Sequence, residues 1–343
     1  MRILHVTECY AGGVSRAINS IAENFDADHH LLYSGDDAPS NLFSSTDTLP
    51  TSIVSRIIAF KRAVNLIRPD IVHAHSSWAG LYTRLLPTQT PVIYEPHCFV
   101  FDDPRRPRLL KSVYRGMESL LSINTKITVA LTAHEAKLAK SLRPGQKVMQ
   151  LSNVPTISAS DLAAVLSSVE KPGSQKPFTI SMVGRVAPQK DPDFFAQVAE
   201  IASAAGQDWN FKWIGGADNA DDENDLKHRG INVTGWLDKA SLISALETSD
   251  VYFHSASYEG FPLSVLDAAA MDLPIIVREL ACFEGFDLHK IGTPEAAYES
   301  LKSVEQSADF QAKLRNLARN LTEEMSVKNQ QRELQSIYGE ALS

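Results

Sequence analysis

The chain has 343 residues, too many for one ordinary core and suited to two domains of about 150 residues each. Its 44% hydrophobic and 22% charged residues mark a folded globular protein and exclude a disordered or low-complexity chain. A net charge of −8 argues against a general nucleic-acid binder, yet the charge is uneven: residues 1–168 carry net +3 and residues 169–343 net −11. Cys9, Cys98 and Cys282 have no metal-type spacing and read as reduced thiols of a cytoplasmic protein. No apolar run reaches the ~20 residues of a membrane span. The opening MRILHVTECY is too short and too polar at its end for a secretory signal, so it reads as a first buried strand.

In chain order, Ile3–Val6 predicts a strand, then a turn at Tyr10-Ala11-Gly12-Gly13, then a helix with Val14, Ala17, Ile18 and Ile21 on one face. A strand at Leu31–Tyr33 precedes a helix over Ile53–Ile67, which Pro69-Asp70 ends before the strand Ile71–Ala74. A strand at Pro91–Tyr94, a basic helix from Arg108 to Leu121 and a strand at Lys126–Leu131 follow. Residues 156–177 break this rhythm with a Ser/Ala-rich helix and a linker-like run from Lys171 to Pro177, which sets a first domain at 1–168. Strands resume at Phe178–Val183, Asn210–Ile214, Ile231–Thr234, Val251–His254 and Pro274–Val277. Helices fall between them at Asp193–Ala205, Lys239–Thr248 and Pro262–Met271, making a second domain of 169–325. The tail 306–343 is helical with no further strand. Strands alternating with helices predict an α/β protein of two doubly wound parallel sheets.

Four clusters carry chemistry. Gly12-Gly13, between a strand and a helix, lets the backbone pass close to an anion at the helix N-terminus; a ligand-free tight turn stays open as the other reading. The dinucleotide fingerprint Gly-x-Gly-x-x-Gly is absent, which disfavours an NAD-dependent oxidoreductase. In Gly184-Arg185-Val186-Ala187-Pro188-Gln189-Lys190-Asp191, two cations converge on the carboxyl edge of a sheet, where a guanidinium fork and an ammonium suit a diphosphate. In the third cluster Glu259 occupies a turn, and Gly260, Phe261, Pro262, Leu263 and Ser264 open a helix as a second anion cradle. Asp267 follows in that helix, either complementing its dipole or accepting bonds from sugar hydroxyls. The fourth is histidine-rich. His73 and His75 point to one face of a strand and His97 follows Tyr94-Glu95-Pro96. No third ligand stands at a usual spacing, so the sequence gives no metal site; one histidine is expected to pack and one to reach the cleft.

Taken in order, Gly12-Gly13, HAHSSWAG at 73–80, Glu95-Pro96-His97, GRVAPQKD at 184–191, IGG at 214–216, TGW at 234–236 and EGFPLSVLD at 259–267 resemble the retaining nucleotide-sugar glycosyltransferases of family 4, across nearly the whole chain. The resemblance implies the GT-B fold, two Rossmann-like domains facing across a cleft, with the donor held by the second. It implies that Arg185 and Lys190 neutralise the donor diphosphate without a metal or other cofactor. Glu259 then contacts the transferred sugar, the amides of Gly260–Leu263 bind sugar and phosphate oxygens, and His97 stands beside the reacting centre. The Gly12-Gly13 loop would lie under the diphosphate, Gly184 would also bind the donor, and the terminal helix, about 326–343, would cross back onto the first domain. The family's second motif glutamate, a ribose ligand, is Asp267 here, one methylene shorter. Ala270-Met271-Asp272-Leu273-Pro274 and Arg278-Glu279-Leu280-Ala281-Cys282 also depart from the family pattern.

The basic half is the acceptor half in this family. Arg105, Arg106, Arg108 and Lys111, interleaved with Leu109 and Leu110, read either as a surface for an anionic bilayer or lipid diphosphate, or as a solvated face paired with Asp102, Asp103 and Glu118. The expected partners are therefore a nucleotide-sugar donor, a saccharide or polyprenyl-diphosphate-linked acceptor and an anionic membrane surface, with no nucleic acid. The expected place is cytoplasmic, peripheral on the inner face of the membrane. A nucleotide-sugar-binding protein without turnover and a nucleotide-sugar epimerase of the same fold remain as alternatives.

Overall fold

A computed structural model describes residues 1–166 and 177–343. The expected linker at 171–177 lies, Pro177 apart, outside the described residues. The chain forms two compact units, Met1–Val154 with Ser326–Ser343, and Pro155–Met325. The division falls after Val154 and not at 168, because the helix at Ala159–Leu166 packs within the second unit.

Unit 1 is built on strands β1 (Arg2–Thr7), β2 (Asp28–Tyr33), β3 (Ser45–Thr48), β4 (Ile71–His75), β5 (Val92–Glu95), β6 (Ile127–Ala130) and β7 (Val148–Gln150). They form one sheet in the order β3-β2-β1-β4-β5-β6-β7, every pair parallel. Helices α1 (Gly12–Asn24), α2 (Ile53–Ile67), α3 (Ser77–Arg84), α4 (Arg108–Leu121) and α5 (Ala133–Lys140) connect them. Alternation along the strands serves two cores. Leu4, Val6, Val72, Ala74 and Tyr94 meet Phe60 of α2 and Ala79 and Tyr82 of α3 on one face. Ile3, Ile71, Ile93 and Ile127 meet Ile21 of α1 on the other.

Unit 2 has strands β8 (Thr179–Val183), β9 (Asn210–Ile214), β10 (Asn232–Val233), β11 (Val251–His254), β12 (Ile275–Arg278) and β13 (His289–Ile291), again all parallel, in the order β10-β9-β8-β11-β12-β13. Its helices are α6 (Ala159–Leu166), α7 (Pro192–Ala204), α8 (Ala220–His228), α9 (Lys239–Glu247), α10 (Leu263–Ala270), α11 (Pro294–Gln306) and α12 (Ala308–Glu324). Phe195 stacks on Phe253 and meets Trp213 edge-on at ring separations of 5.8 and 5.5 Å, filling the sheet's centre. The last helix, α13 (Val327–Leu342), returns to unit 1 and adds Leu334, Ile337 and Tyr338 to its second core.

Each sheet reverses its strand order once, between β1 and β4 and between β8 and β11. At such a reversal the loops leaving the two carboxyl ends part in opposite directions and leave a crevice for a ligand. The residues that follow Thr7, His75, Val183 and His254 therefore hold the candidate sites.

Candidate functional site

In unit 2 the loop after β8 and the loop after β11 are laced together. Ser257 N donates to the Gln189 carbonyl at 2.9 Å and Ser255 Oγ to that of Lys190 at 3.0 Å. The stem of Lys190 crosses Gly184, where a Cβ would stand 2.9 Å from Lys190 Cε, and a Cβ on Gly215 would stand 2.2 Å from the Gly184 carbonyl oxygen. With φ of 154° and 140° as well, these two positions require glycine, which accounts for the glycines opening GRVAPQKD and within IGG.

This lacing delivers Lys190 Nζ to Glu259 Oε1 at 2.5 Å, with Gln189 Nε2 donating to Glu259 Oε2 at 3.3 Å and His254 Nε2 at 3.6 Å from Oε1. Burial works to raise the Glu259 carboxyl, but Lys190 and His254 override it and hold it at about 2. Glu259 is thus a buried anion, and Lys190 retains two of its three donors for another group. Arg185 stays half exposed; its Nη1 reaches Asp218 Oδ2 at 3.1 Å, a solvent-exposed pair of small worth.

Helix α10 begins at Leu263 with Pro262 as N-cap and no side chain capping it; the Val265 amide donates to the Pro262 carbonyl at 3.1 Å, so the Leu263 and Ser264 amides are the ones open to solvent or a ligand. Gly260, Phe261, Pro262 and Leu263 are buried beneath that end, Phe261 packing on Phe286 at 4.9 Å, and Ser264 Oγ accepts from Tyr252 Oη at 2.9 Å. Asp267 departs from its expected role. It is 1% exposed, and Oδ1 accepts from Thr156 N at 2.6 Å and Ile157 N at 3.2 Å, while Oδ2 accepts from Thr156 Oγ1 at 2.9 Å. The carboxylate anchors the start of unit 2 instead of facing outward.

Arg278, noted in the sequence only as part of a departure, is a third cation at this edge. Its Nη1 donates to Asp191 Oδ2 at 2.5 Å and to the Ser255 carbonyl at 3.3 Å, and its guanidinium lies 4.2 Å from the Phe194 ring centroid. It braces Asp191, which sits at φ 51° and caps α7 through Phe194 N. A basic residue ending a strand at the sheet's carboxyl edge was the available signal.

In unit 1 the Gly12 amide donates to Asp37 Oδ2 at 2.9 Å, so the anion at the start of α1 is the chain's own carboxylate. Gly13 beside it faces open space. Glu8, one residue beyond β1, serves α3 in the same way, accepting from Ala79 N at 2.8 Å and from Ser76 Oγ at 2.6 Å. His97 and Cys98 follow β5 with φ of 54° and 126°, two consecutive non-glycine residues in left-handed territory. The His97 side chain is only 9% exposed and its ring nitrogens turn inward, Nε2 to His75 Nδ1 at 3.1 Å and Nδ1 to Glu95 Oε1 at 3.4 Å. The fold supplies what spacing did not: polar atoms of His5, His73 and His75, and of His75, Glu95 and His97, lie within 4.8 Å of one another in each group. Four of those nitrogens are spent on hydrogen bonds to one another, and His73 Nδ1 lies 3.0 Å from Tyr338 Oη.

The basic segment divides in two. Asp103 holds Arg105 Nε at 3.1 Å and Arg106 Nε at 3.6 Å, as the solvated-face reading expected. Asp102 instead pairs with His134, and Glu118 turns inside to Arg84 Nη2 at 2.8 Å and Tyr94 Oη at 2.9 Å. Among the described residues no carboxylate lies within ion-pair reach of Arg108 or Lys111.

Known proteins resemble this chain in sequence and fold. The glycosyl transferase 4-like domain family matches residues 12–153, and the glycosyl transferases group 1 family matches residues 177–320. An uncharacterized 41.2 kDa protein in the cps region of Klebsiella pneumoniae is 26% identical over 296 residues, 82% of each chain. The UDP-Gal:alpha-D-GlcNAc-diphosphoundecaprenol alpha-1,3-galactosyltransferase of Escherichia coli is 27% identical over 245 residues, 65% of this chain and 61% of that protein. The crystal structure of Anabaena HepE in complex with UDP and glucose superposes with a TM-score of 0.78 over 99% of both chains at 13% identity, which shows the same fold. The chain belongs to the GT-B glycosyltransferases, with a glycosyl transferase 4-like domain in unit 1 and a group 1 domain in unit 2.

Proposed function

We propose that this glycosyltransferase moves a hexose-type sugar from a nucleoside-diphosphate sugar to a saccharide carried on a polyprenyl diphosphate, in the assembly of a bacterial cell-surface polysaccharide. Transfer proceeds with retention and without a divalent metal. The observation that carries the reading is the Lys190–Glu259 pair at 2.5 Å, a fixed anion beside a cation with donors to spare. When the sugar C1–oxygen bond breaks, negative charge grows on the departing diphosphate. Lys190, Arg185 and the uncapped amides of α10 meet that charge, a role a metal would otherwise take, and one such preorganised contact contributes about 3 kcal/mol. Glu259 orients the sugar hydroxyls. The acceptor hydroxyl attacks from the face the diphosphate leaves, and its proton passes to the departing phosphate oxygen. UDP and glucose bound by HepE and the lipid-linked acceptor named for the E. coli relative support the donor and acceptor classes.

Binding only to the folded state raises stability by about 2.7 kcal/mol at a hundredfold excess of ligand over Kd. In a thermal-shift panel of UDP-, GDP- and ADP-sugars, one nucleotide should therefore raise the Tm, and Lys190→Ala should abolish the rise. An undiminished rise in that variant overturns the diphosphate role.

The membrane-facing side of the reading rests on α2, α3 and α4, which lie side by side on one face of the unit 1 sheet. They expose Val54, Leu66, Trp78, Leu109, Val113 and Leu120, among others. The three helices hold one acidic residue, Glu118, which is turned inside, whereas Lys61, Arg62, Arg108 and Arg115 are exposed. Apolar side chains on helices whose exposed charged residues are all cations suit an anionic bilayer carrying a lipid-linked acceptor. No helix among the described residues is long and apolar enough to cross a membrane.

A further inference from the structure

Glu95 is a buried anion of unit 1, and three imidazoles converge on it. Parallel register sets His75 of β4 beside Glu95 of β5, on the sheet face that also carries His5 and His73. His73 Nε2 lies 3.3 Å and His75 Nδ1 3.4 Å from Glu95 Oε2, and His97 Nδ1 lies 3.4 Å from Oε1. His73 and His75 are 0% exposed and Glu95 1%, and Oε2 makes no hydrogen bond among the described residues.

The protons of neutral rings do not satisfy this arrangement. A neutral imidazole has one donor and one acceptor, whereas a backbone carbonyl only accepts. His29 therefore donates through Nε2 to the Phe25 carbonyl at 2.8 Å, its Nδ1 accepts from His5 Nε2 at 2.9 Å, and His5 Nδ1 accepts from His75 Nε2 at 3.0 Å. His75 is left with a bare Nδ1 that faces both Glu95 Oε2 and, at 3.1 Å, His97 Nε2. His97 has one proton for two contacts. Placed on Nε2, it serves His75 but sets a bare Nδ1 against Glu95 Oε1. Placed on Nδ1, it serves Glu95 but leaves His75 Nδ1 and His97 Nε2 with opposed lone pairs. His73 needs nothing more, since Tyr338 Oη, 3.0 Å from its Nδ1, can donate there and leave Nε2–H for Glu95. The cluster thus lacks one cation, either a further proton or a metal ion.

Distances favour the metal. An imidazolium on a carboxylate closes to about 2.7–2.9 Å, shorter than all three contacts to Glu95. Ligand atoms about 2.0–2.1 Å from a tetrahedral zinc ion stand about 3.3 Å apart, as the atoms do here. One atom each from His75, Glu95 and His97 lies within 4.8 Å of the other two. Burial lowers the His75 pKa to about 3, which opposes a second proton on that ring. Burial would raise the Glu95 carboxyl, but His97 and His73 hold it well below the usual carboxylate range. Neutral imidazole and ionised carboxylate are the forms that bind metal. The neighbouring group of His5, His73 and His75 offers no anion, and its nitrogens are committed to one another, to His29 and to Tyr338.

We propose that His75 Nδ1, His97 Nε2 and Glu95 Oε2 bind one divalent metal ion of the zinc class, which ties the turn at His97 and Cys98 to β4 and β5. His97 then keeps its proton on Nδ1 for Glu95 Oε1, and His75 keeps its own on Nε2 for His5, so each ligand ring is held through its other nitrogen. Coordination also accounts for a turn with φ of 54° and 126° at two consecutive non-glycine residues, a conformation that needs its surroundings to hold it. Two imidazoles and a carboxylate leave a fourth position for water. The ion belongs to unit 1 and leaves the donor diphosphate to Lys190 and Arg185 of unit 2; the proposal does not depend on the transfer reading.

Calorimetric titration of the full-length protein, stripped with a chelator, with ZnCl₂ tests it without any turnover. One equivalent of Zn²⁺ should bind and raise the Tm, and Co²⁺ in its place should give the visible spectrum of a nitrogen- and oxygen-ligated site with no thiolate charge-transfer band. His97→Asn removes a ligand but keeps a residue that tolerates positive φ, and Glu95→Gln keeps the volume of the carboxylate. Each should weaken the site by about a hundredfold or more. His97→Asn decides alone should Glu95→Gln fail to fold. Equal binding by His97→Asn assigns the ion to surface histidines and overturns the proposal, as does a thiolate band. No equivalent bound, with a doubly protonated His75 or His97 in nitrogen-15 spectra at neutral pH, makes the missing cation a proton and overturns it too.

Discussion

At the scale of single residues, the two candidate sites store free energy in different forms. Glu259 stores it electrostatically. Its carboxyl is depressed to about 2, burial opposing and Lys190 with His254 prevailing, against about 4.3 in an unfolded chain. A depressed acid stabilises the fold above its unfolded pKa and loses that contribution as pH falls through its folded one. The gap in stability between the protein and Glu259→Gln should therefore be largest near neutrality, at most about 3 kcal/mol, and should close between about pH 4.3 and pH 2. Chemical denaturation across that range measures it, and a pH-independent gap refutes the charge pairing. Cys98 stores energy as backbone strain, at φ 126°, where L side chains rarely go. Such strain costs about 1–3 kcal/mol and is retained where function over-determines the loop. Cys98→Gly should relieve it and raise the Tm, whereas a lowered Tm would show that the thiol's packing outweighs the strain.

At the scale of elements, the cations on and beside α2 and α4 do not act alike. Asp103 neutralises Arg105 and Arg106, whereas Lys61, Arg62, Arg108 and Lys111 have no carboxylate within reach among the described residues. Each basic side chain at an anionic surface contributes about 1 kcal/mol. Replacing these four by Gln should weaken co-sedimentation with anionic liposomes by about 4 kcal/mol, and replacing Arg105 and Arg106 by Gln should change it far less. Equal loss in both variants, or none in either, removes the assignment of this face. The same elements show what was legible beforehand. α2 and α4 were read to their exact ends, because apolar spacing and flanking prolines mark them. β3 was missed because Ser45–Thr48 holds four exposed polar residues and exists only by pairing with β2. β7 and β13, three residues each at sheet edges, gave no pattern long enough to register. The cations and carboxylate of unit 2 were legible because each lies in the short loop between a strand and the next helix. The histidine cluster of unit 1 was not, since His5 and His75 are seventy positions apart and only the sheet brings them together.

At the scale of the whole molecule, the charge asymmetry sharpens once the true units are counted. Unit 1 carries net +4 and unit 2 net −12, which sum to the −8 of the chain. A unit of −12 repels a diphosphate at long range, so under the proposed function the affinity for one would come from Arg185, Lys190 and α10, at distances that salt screens little. Unit 1 is in turn made of two stretches of chain, and α13 is structural in it. Leu334, Ile337 and Tyr338 are 0–1% exposed beneath β1, β4 and β5. Gln330 also donates to the Ser152 carbonyl at 2.9 Å and accepts from Asn24 at 2.7 Å. Burying three such apolar side chains contributes about 1.5–3 kcal/mol each, a sum comparable to the 5–15 kcal/mol that holds a typical domain folded. A chain ending at residue 325 should therefore lose hydrogen-exchange protection throughout β1, β4 and β5 while β8, β11 and β12 keep theirs. Protection lost equally in both units would make them one cooperative body, and protection kept in both would make α13 dispensable. The expected split places the supports of His97 in a unit whose stability is set by the last helix, separately from the Lys190–Glu259 pair.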